Sequence, residues 1–412
     1  MKRLLFDFLW SHLRSLGAFR QPEQAVDAAR EAAGLPPMYD AWFAEAVRVL
    51  EVEGYLERRD DHILTDGTQR HRSLPDLWQE WETKKPRWRE NPDTAAIHLL
   101  LETTLQALPD ILTGKRRATE VMFPGASMEL VENAYKTNPV SEFFNRVLAA
   151  RLVTYLRSGA DTETGFEPRI LEIGAGTGAT SAVVLDAIRS GGLAVREYCY
   201  TDLSRAFLNH AERSYGPANP FLTYGILDIE RSVAEQGLPI GGYDVVIATN
   251  VLHATRDIRS TLRNTKAILK KGGLLLLNEA IANNLINHLT FGLLEGWWRY
   301  DDAESRIAGS PLLSTEGWRH VLAEEGYGPI TWPAREAADL GQQIIVAESN
   351  GVIRQTSTTS RESARGQVPE AATRSPGGAR THPVPVPEPM TANPSQESMA
   401  TDRLLAHVER VA

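Results

Sequence analysis

The sequence predicts a doubly wound, largely parallel α/β sheet that follows a mainly helical N-terminal region. Between residues 168 and 349, short apolar runs alternate with helical stretches of roughly a dozen residues, which is the pattern of βαβ units. A glycine-rich loop directly follows the first apolar run, at the place where sheets of this kind bind their ligands. Together these two patterns predict an open sheet with a ligand at its carboxyl edge.

Residues 1–165 show helical spacing and little strand character. In one stretch, Phe43, Val47 and Leu50 recur at intervals of four and three, so we expect a mainly helical lid domain with room for one small hairpin. Its first helix is predicted to be amphipathic. Polar residues, beginning with Asp7, interrupt the apolar run before it reaches the length of a signal or a membrane span.

The sheet domain is expected at residues 166–349, with an insert at about 282–312 that folds over the substrate. Residues 350–400 are rich in Pro, Ser and Thr and lack an apolar cluster, which predicts a flexible linker. Helical periodicity resumes at 401–412. We therefore expect an excised piece of a longer polypeptide, monomeric in isolation.

Composition narrows the classes of function. The net charge of −9 argues against a nucleic-acid partner, because such domains usually carry a basic surface. The single Cys199 permits neither an intrachain disulfide nor a multi-thiolate metal site. We expect a cytoplasmic protein that needs no metal and no membrane.

The loop ILEIGAGTGAT at residues 170–180 fits two cofactors. Gly174, Gly176 and Ala179 satisfy the dinucleotide fingerprint, whereas Gly174, Gly176 and Gly178 fit the form that approaches the methionine end of S-adenosylmethionine. Glu172, at the end of the preceding strand, is placed to hold an ammonium group, which a nicotinamide cofactor lacks. The carboxylate favours S-adenosylmethionine.

Acidic residues follow the next two strands. Asp202 lies about one βαβ step beyond the loop, where a carboxylate accepts hydrogen bonds from ribose hydroxyls. Asp228 ends the third strand, where it is placed to bind an adenine amino group. Either residue could instead cap a helix. Asn250 and His253 follow the fourth strand, at the same carboxyl edge of the sheet.

Several motifs in order resemble the methyltransferase domains embedded in modular polyketide synthases, especially those served by a separate acyltransferase, and among them the C-methyltransferases. The motifs are ILEIGAGTGATS, YTDLSRAFLNHAE, GGYDVVIATNVLHAT, LLLLNEA and HLTFGLLEGWW. The resemblance spans about residues 135–349 and implies the class I S-adenosylmethionine-dependent methyltransferase fold, with a Rossmann-like sheet of seven mostly parallel strands.

The resemblance also implies roles for single residues. His253 and Glu279 correspond to a catalytic dyad that deprotonates a carbon between a ketone and a thioester. Leu203, Ile229 and Tyr135 join the cofactor-binding residues, although Tyr135 could equally be a packed aromatic. We expect the substrate cavity to be lined by Phe144, His288 and Trp297.

The implied substrate is a β-ketoacyl chain on the phosphopantetheine arm of an acyl carrier protein, with other synthase domains as neighbours. Two basic runs, at residues 84–89 and 114–117, are solvated faces or the docking surface for that carrier. O-methylation of a β-hydroxyl or enol is an alternative, because the same dyad would serve it. A second alternative is an inactive docking domain that keeps the fold alone.

Overall fold

The computed structural model describes residues 1–65, 72–127, 129–131 and 138–354. Tyr135, nearly all of the predicted linker and the predicted helix at 401–412 lie outside these ranges. The side chains of residues 92–94, 96 and 126 are also outside the description. Within the described residues, no helix is both long enough and apolar enough to span a lipid bilayer.

The N-terminal region is mainly helical, as predicted. Its helices are α1 (Lys2–Leu16), α2 (Val26–Ala32), α3 (Asp40–Val52), α4 (Leu74–Glu90), α5 (Pro92–Leu112) and α6 (Ala118–Met122). Three short strands, β1 (Glu23–Ala25), β2 (Glu57–Arg59) and β3 (His62–Leu64), form an antiparallel sheet in the order β1-β3-β2. The small hairpin that the sequence allows is therefore extended by one strand.

Helix α1 has the amphipathic sequence that was predicted, yet it has no solvent-exposed face over most of its length. All residues from Leu4 to Leu13 are buried, because α1 contacts α3, α4 and α5 on different sides. The polar groups of the helix differ in their partners: both ring nitrogens of His12 lack hydrogen-bond partners among the described residues, whereas Asp7 is satisfied internally. The carboxylate of Asp7 accepts a hydrogen bond from the Tyr55 hydroxyl at 2.5 Å and one from the Arg72 guanidinium at 3.2 Å.

The remaining elements build the large sheet. Its strands are β4 (Arg169–Ile173), β5 (Glu197–Asp202), β6 (Leu222–Ile226), β7 (Tyr243–Thr249), β8 (Leu269–Ala280), β9 (Tyr327–Thr331) and β10 (Gln342–Ser349). Its helices are α7 (Pro139–Thr162), α8 (Ala179–Ser190), α9 (Arg205–Tyr215), α10 (Ile258–Ile268), α11 (Leu285–Leu289) and α12 (Thr315–Glu324). The strand order is β6-β5-β4-β7-β8-β10-β9, with β10 antiparallel to both neighbours. The predicted fold class is confirmed.

The strand order determines where a ligand can bind. From β4 the chain moves outward to β5 and β6 on one side, and then returns to β7 and β8 on the other. Loops at the carboxyl ends of β4 and β7 therefore diverge and leave a crevice, the topological switch point of such sheets. The central strands are apolar on both faces; every residue of β7 up to Ala248 is buried.

The insert after β8 packs against the N-terminal helices. Leu285, Leu289 and Leu293 share one hydrophobic core with the aromatic residues of α1 and α3. A second core lies between β7, β8 and the helices α10 and α12. Because the insert belongs to the first core, its position over the sheet depends on the N-terminal region.

Candidate active site

His253 and Glu279 meet at the carboxyl edge of the sheet. His253 lies in a short 3-10 turn (Leu252–Ala254) that follows β7, and Glu279 lies near the end of the adjacent β8. The imidazole Nδ1 is hydrogen-bonded to Oε2 of Glu279. The other carboxylate oxygen accepts the backbone N–H of Leu252 at 3.0 Å and that of Val251 at 3.3 Å.

This arrangement selects one tautomer of the histidine. Because an ionised carboxylate only accepts hydrogen bonds, Nδ1 carries the hydrogen and Nε2 keeps its lone pair. The His253 side chain is 7% exposed and that of Glu279 is fully buried, so the carboxylate is shielded from water. An imidazole held in this way can remove a proton and be stabilised as the cation.

A cavity of about 510 Å³ lies against His253. Its apolar wall comes largely from the insert, with Phe291, Leu294 and Trp297, while Ile97 and Val140 contribute from the N-terminal side. The Trp297 ring meets the His253 ring edge to face, with 6.2 Å between centroids. A chamber of this size and polarity suits a mainly apolar acceptor chain.

A second cavity, of about 210 Å³, lies beside the glycine loop. It is lined by Gly174, Gly176 and Thr177, by Phe207 at the start of α9, and by the strand-end Glu172. Gly176 has φ +57°, and a Cβ atom at this position would meet no side chain within 4 Å. The glycine therefore leaves open space beside the backbone, as a cofactor that lies against the loop requires.

The two cavities meet. Ser141, Asn250 and Gln342 line both of them. Asn250 has φ +52°, which is uncommon for a residue other than glycine, and its Oδ1 accepts the backbone N–H of Ala280 at 2.9 Å. A group bound beside the glycine loop and a chain bound beside His253 would thus face each other at this junction.

The predicted cofactor carboxylates lie at the base of the glycine loop. Glu172 accepts hydrogen bonds from Ser181 at 2.5 Å and from Tyr198 at 2.6 Å, and burial raises its pKa to about 7 despite these donors. Asp202 accepts the backbone N–H of Gly176 at 3.0 Å and that of Ser204 at 2.7 Å. Burial also raises the pKa of Asp202.

The predicted cofactor-binding residues at the ends of β5 and β6 lie in different surroundings. Four of them do not line the glycine-loop cavity, namely Asp202, Leu203, Asp228 and Ile229. Leu203 is 68% exposed, whereas Ile229 is buried in the core. Asp228 Oδ1 accepts the backbone N–H of Glu230 at 3.0 Å, so this side chain caps a turn rather than a helix.

Two of the predicted substrate-lining residues do not line the cavity of about 510 Å³ beside His253, called the acceptor cavity below, whereas Trp297 does. Phe144 is fully buried against Phe143 inside α7. His288 is buried and stacks on Trp42, with 4.6 Å between ring centroids, because α11 turns this side chain toward α3 rather than toward the sheet. Sequence position within the insert did not reveal which side of the short helix faces the cavity.

Sequence reasoning missed a chain of polar side chains beneath the junction. Thr180 donates to Asn145 at 2.9 Å, Asn278 donates to the same Asn145 oxygen at 3.0 Å, and Gln342 donates to Asn278 at 2.5 Å. An asparagine that ends the apolar run LLLLN was the one signal available. A polar residue in a buried central strand needs partners.

Comparisons with known proteins identify the family of the chain. A family profile described as a methyltransferase domain matches residues 171–275. Polyketide synthase PksR of Bacillus subtilis (strain 168) is 47% identical over 361 residues, or 87% of this chain. The crystal structure of the DszA carbon methyltransferase is 34% identical, with a TM-score of 0.78 over 86% of this chain and 90% of that one.

The chain belongs to the carbon methyltransferase domains of polyketide synthases. The CurJ carbon methyltransferase is also similar, at 30% identity and a TM-score of 0.74 over 84% of this chain and 90% of that one. The methyltransferase spans only 14% of the length of PksR. It is an S-adenosylmethionine-dependent methyltransferase.

Proposed function

We propose that the methyltransferase adds a methyl group to the α-carbon of a β-ketoacyl chain carried by an acyl carrier protein. The observation that supports this most directly is the position of His253. Its buried partner Glu279 fixes the tautomer, and its ring lines the large cavity that meets the glycine-loop cavity at Asn250. A base next to that junction suits an acceptor that must lose a proton before it is methylated.

The residues of the chain supply the proton transfer and the alignment. His253 Nε2 takes the α-proton, the electrons of the C–H bond form the enolate, and Glu279 stabilises the imidazolium. When bound, S-adenosylmethionine supplies the electrophilic methyl group that this enolate accepts. General-base catalysis contributes typically about 10²- to 10⁴-fold, whereas alignment is worth roughly 7–11 kcal/mol, so the shape of the junction matters more than the base alone.

The cofactor is proposed to lie along the glycine loop. Its methionine end would be bound by Glu172, Gly174, Gly176, Gly178 and Asn250. Asp202, Leu203, Asp228 and Ile229 would bind its ribose and adenine, since they follow β5 and β6 at the same edge of the sheet. The open space at Gly176 supports this placement.

A carrier-bound substrate is consistent with the relatives. The proteins similar over most of this chain include whole polyketide synthases, in which the matching region is one segment of a much longer polypeptide. The partners proposed are an acyl carrier protein with its phosphopantetheine arm and the other domains of such a synthase.

Product analysis separates carbon from oxygen methylation. A β-ketoacyl and a β-hydroxyacyl pantetheine of the same length are offered separately with S-adenosylmethionine, and products are analysed by mass spectrometry. The proposal predicts a mass gain of one methylene on the ketoacyl substrate, with fragment ions that place the methyl group on the α-carbon rather than on the enol oxygen. Methylation confined to the hydroxyacyl substrate would instead identify an O-methyltransferase, and an absence of cofactor binding in calorimetry would identify an inactive docking domain.

A further inference from the structure

Arg306 is a buried cation in the insert, and its guanidinium is fully hydrogen-bonded. Its side chain is 1% exposed. Nε donates to Asp302, Nη1 donates to the carbonyls of His253 and Pro311, and Nη2 donates to Asp302 and to the carbonyl of Thr255, with distances from 2.6 to 3.0 Å. A guanidinium has five N–H donors, so none remains for a substrate.

Two of these contacts reach the turn that carries the proposed base. The guanidinium binds the carbonyl of His253 itself at 2.8 Å and that of Thr255 at 3.0 Å. The contact to Pro311, at 2.8 Å, holds the residue directly before Leu312, which lines the acceptor cavity. One planar side chain therefore ties the turn after β7 to the wall of the cavity.

Asp302 completes this connection. Besides binding the guanidinium with both oxygens, its Oδ2 accepts the backbone N–H of Ile258 at 2.8 Å, at the start of α10. The turn is thus held on both sides, at His253 and at the helix that follows. The bidentate carboxylate fixes the plane of the guanidinium and with it the direction of the donors toward His253 and Thr255.

We propose that Arg306 is a positioning residue that holds the His253 turn so that the imidazole faces the acceptor. The proposal rests on the function proposed above and adds a residue that touches neither the acceptor nor the glycine loop. A substitution that removes the planar set of guanidinium donors should slow proton removal by His253 while leaving the binding of S-adenosylmethionine intact. Displacement of a reacting group by about 1 Å can cost on the order of 10²-fold in rate.

The first experiment compares Arg306→Lys with Arg299→Lys. A lysine keeps the charge beside Asp302 but has only three donors and no planar fork. Arg299 lies in the same insert, is exposed and pairs with Glu295, so it is the matched control. The readout is α-proton exchange of acetoacetyl-N-acetylcysteamine in D₂O without S-adenosylmethionine, corrected for the blank, alongside calorimetric affinity for S-adenosylmethionine and the melting temperature.

We expect exchange in Arg306→Lys to fall by about 10- to 100-fold, with cofactor affinity near that of the wild type and with Arg299→Lys unaffected. The melting temperature should fall as well, because buried carbonyls lose their donors. Exchange at the wild-type rate in folded Arg306→Lys would overturn the proposal. A purely structural residue would lower the cofactor affinity together with the exchange rate, and that result would also overturn the proposal.

A second variant covers the case in which Arg306→Lys does not fold. Arg306→Met combined with Asp302→Asn leaves no unpaired buried charge and keeps an acceptor for Ile258. It should slow exchange in the same way. If both variants lose cofactor binding along with exchange, Arg306 supports the whole fold and the positioning role is overturned. If the wild type exchanges no faster than His253→Ala, the proposed function fails first and this proposal falls with it.

Discussion

At the scale of single residues, the direction of each hydrogen bond decides what the site can do. Glu279 accepts from two backbone N–H groups as well as from His253, so its carboxylate is held in place before any substrate arrives. Asp202 is likewise engaged, because it accepts from the backbone of Gly176 and Ser204. Such preorganised groups need little rearrangement when a ligand binds.

Asp202 should control cofactor affinity rather than the chemical step. In Asp202→Ala, the carboxylate that holds the Gly176 backbone is lost, and we expect the affinity for S-adenosylmethionine to fall about 10- to 100-fold, as for loss of hydrogen bonds to a charged group. Isothermal titration measures this, with the exposed Asp186→Ala as a control. Unchanged affinity in Asp202→Ala would remove Asp202 from the cofactor site.

Glu172 should make the stability of the protein depend on pH. Burial raises its pKa from 4.5 to about 7, so the folded state holds this proton more tightly than the unfolded state. Its contribution to the free energy of unfolding is therefore greatest below pH 4.5 and is lost as the pH rises to 7.

The variant Glu172→Gln mimics the protonated form and removes this dependence. The free energy of unfolding of the variant minus that of the wild type should increase by on the order of 3 kcal/mol between about pH 5 and about pH 8. Denaturant unfolding at the two pH values measures the difference. A gap between the two proteins that stays constant with pH would contradict the assignment.

At the scale of elements, the sheet places the base and the insert encloses it. The carboxyl ends of β7 and β8 are neighbours, so the turn with His253 and the strand end with Glu279 lie side by side. The insert is fixed to α3 at two points: Trp42 donates to the His288 carbonyl at 3.0 Å, and Asn283 donates to Glu45 at 3.0 Å. Acceptor binding therefore depends on a helix more than 200 residues away in sequence.

Burial of His288 between α11 and α3 should make the folded protein less stable in acid. His288 is buried with both ring nitrogens lacking hydrogen-bond partners among the described residues, and burial lowers its pKa from 6.5 to about 3. Only the unfolded state can take up the proton between these values. The stability of the neutral form is complete above about pH 6.5 and is lost as the pH falls, by about 2 kcal/mol at about pH 5.

Replacing the ring tests this directly. His288→Phe keeps an aromatic ring against Trp42 and should reduce the loss of stability between about pH 7 and about pH 5 by about 2 kcal/mol. His12→Phe, equally buried in α1, should reduce it similarly, because burial lowers the pKa of His12 to about 4. Parallel pH curves for wild type and His288→Phe would show that this histidine does not carry the acid sensitivity.

At the scale of the whole molecule, local patterns predicted the sheet but not the contacts between distant segments. The apolar runs predicted the strands β4, β5, β7 and β8. Because β7 and β8 are neighbours in the sheet, His253 lies beside Glu279. The contact of Arg306 with the His253 carbonyl left no mark in composition or periodicity, because backbone acceptors have no sequence signature. The burial of α1 on all sides was not predicted either, because it depends on contacts with helices that are distant in the sequence.

The two basic runs differ in the structure. In the first run, Lys84 and Lys85 are ion-paired with Glu80 and Glu102, whereas Arg87 and Arg89 are exposed. The second run, Lys115–Arg117, is exposed throughout, and among the residues that the structure describes its one ion pair is the 4.0 Å approach of Lys115 to Asp110. Because three adjacent cations are exposed there, the second run is the candidate tested for an acidic carrier protein.

Reversing all three charges of the second run to glutamate should raise the KM for a carrier-bound substrate roughly tenfold and leave that for a small thioester mimic unchanged. The matched control reverses three exposed arginines elsewhere, namely Arg189, Arg213 and Arg319. Steady-state kinetics with both substrates measures the effect. Equal changes with both substrates would exclude this surface as the docking site.

The most direct test of the central claim follows the methyl group and the base together. A β-ketoacyl pantetheine labelled with ¹³C at the α-carbon is incubated with ¹³C-methyl S-adenosylmethionine, and carbon NMR is recorded for the wild type and for His253→Ala. We predict a one-bond coupling between the two labelled carbons in the wild type, and none in the variant, which should still bind the cofactor. A labelled methyl without that coupling, or undiminished coupled product from His253→Ala, would contradict the account.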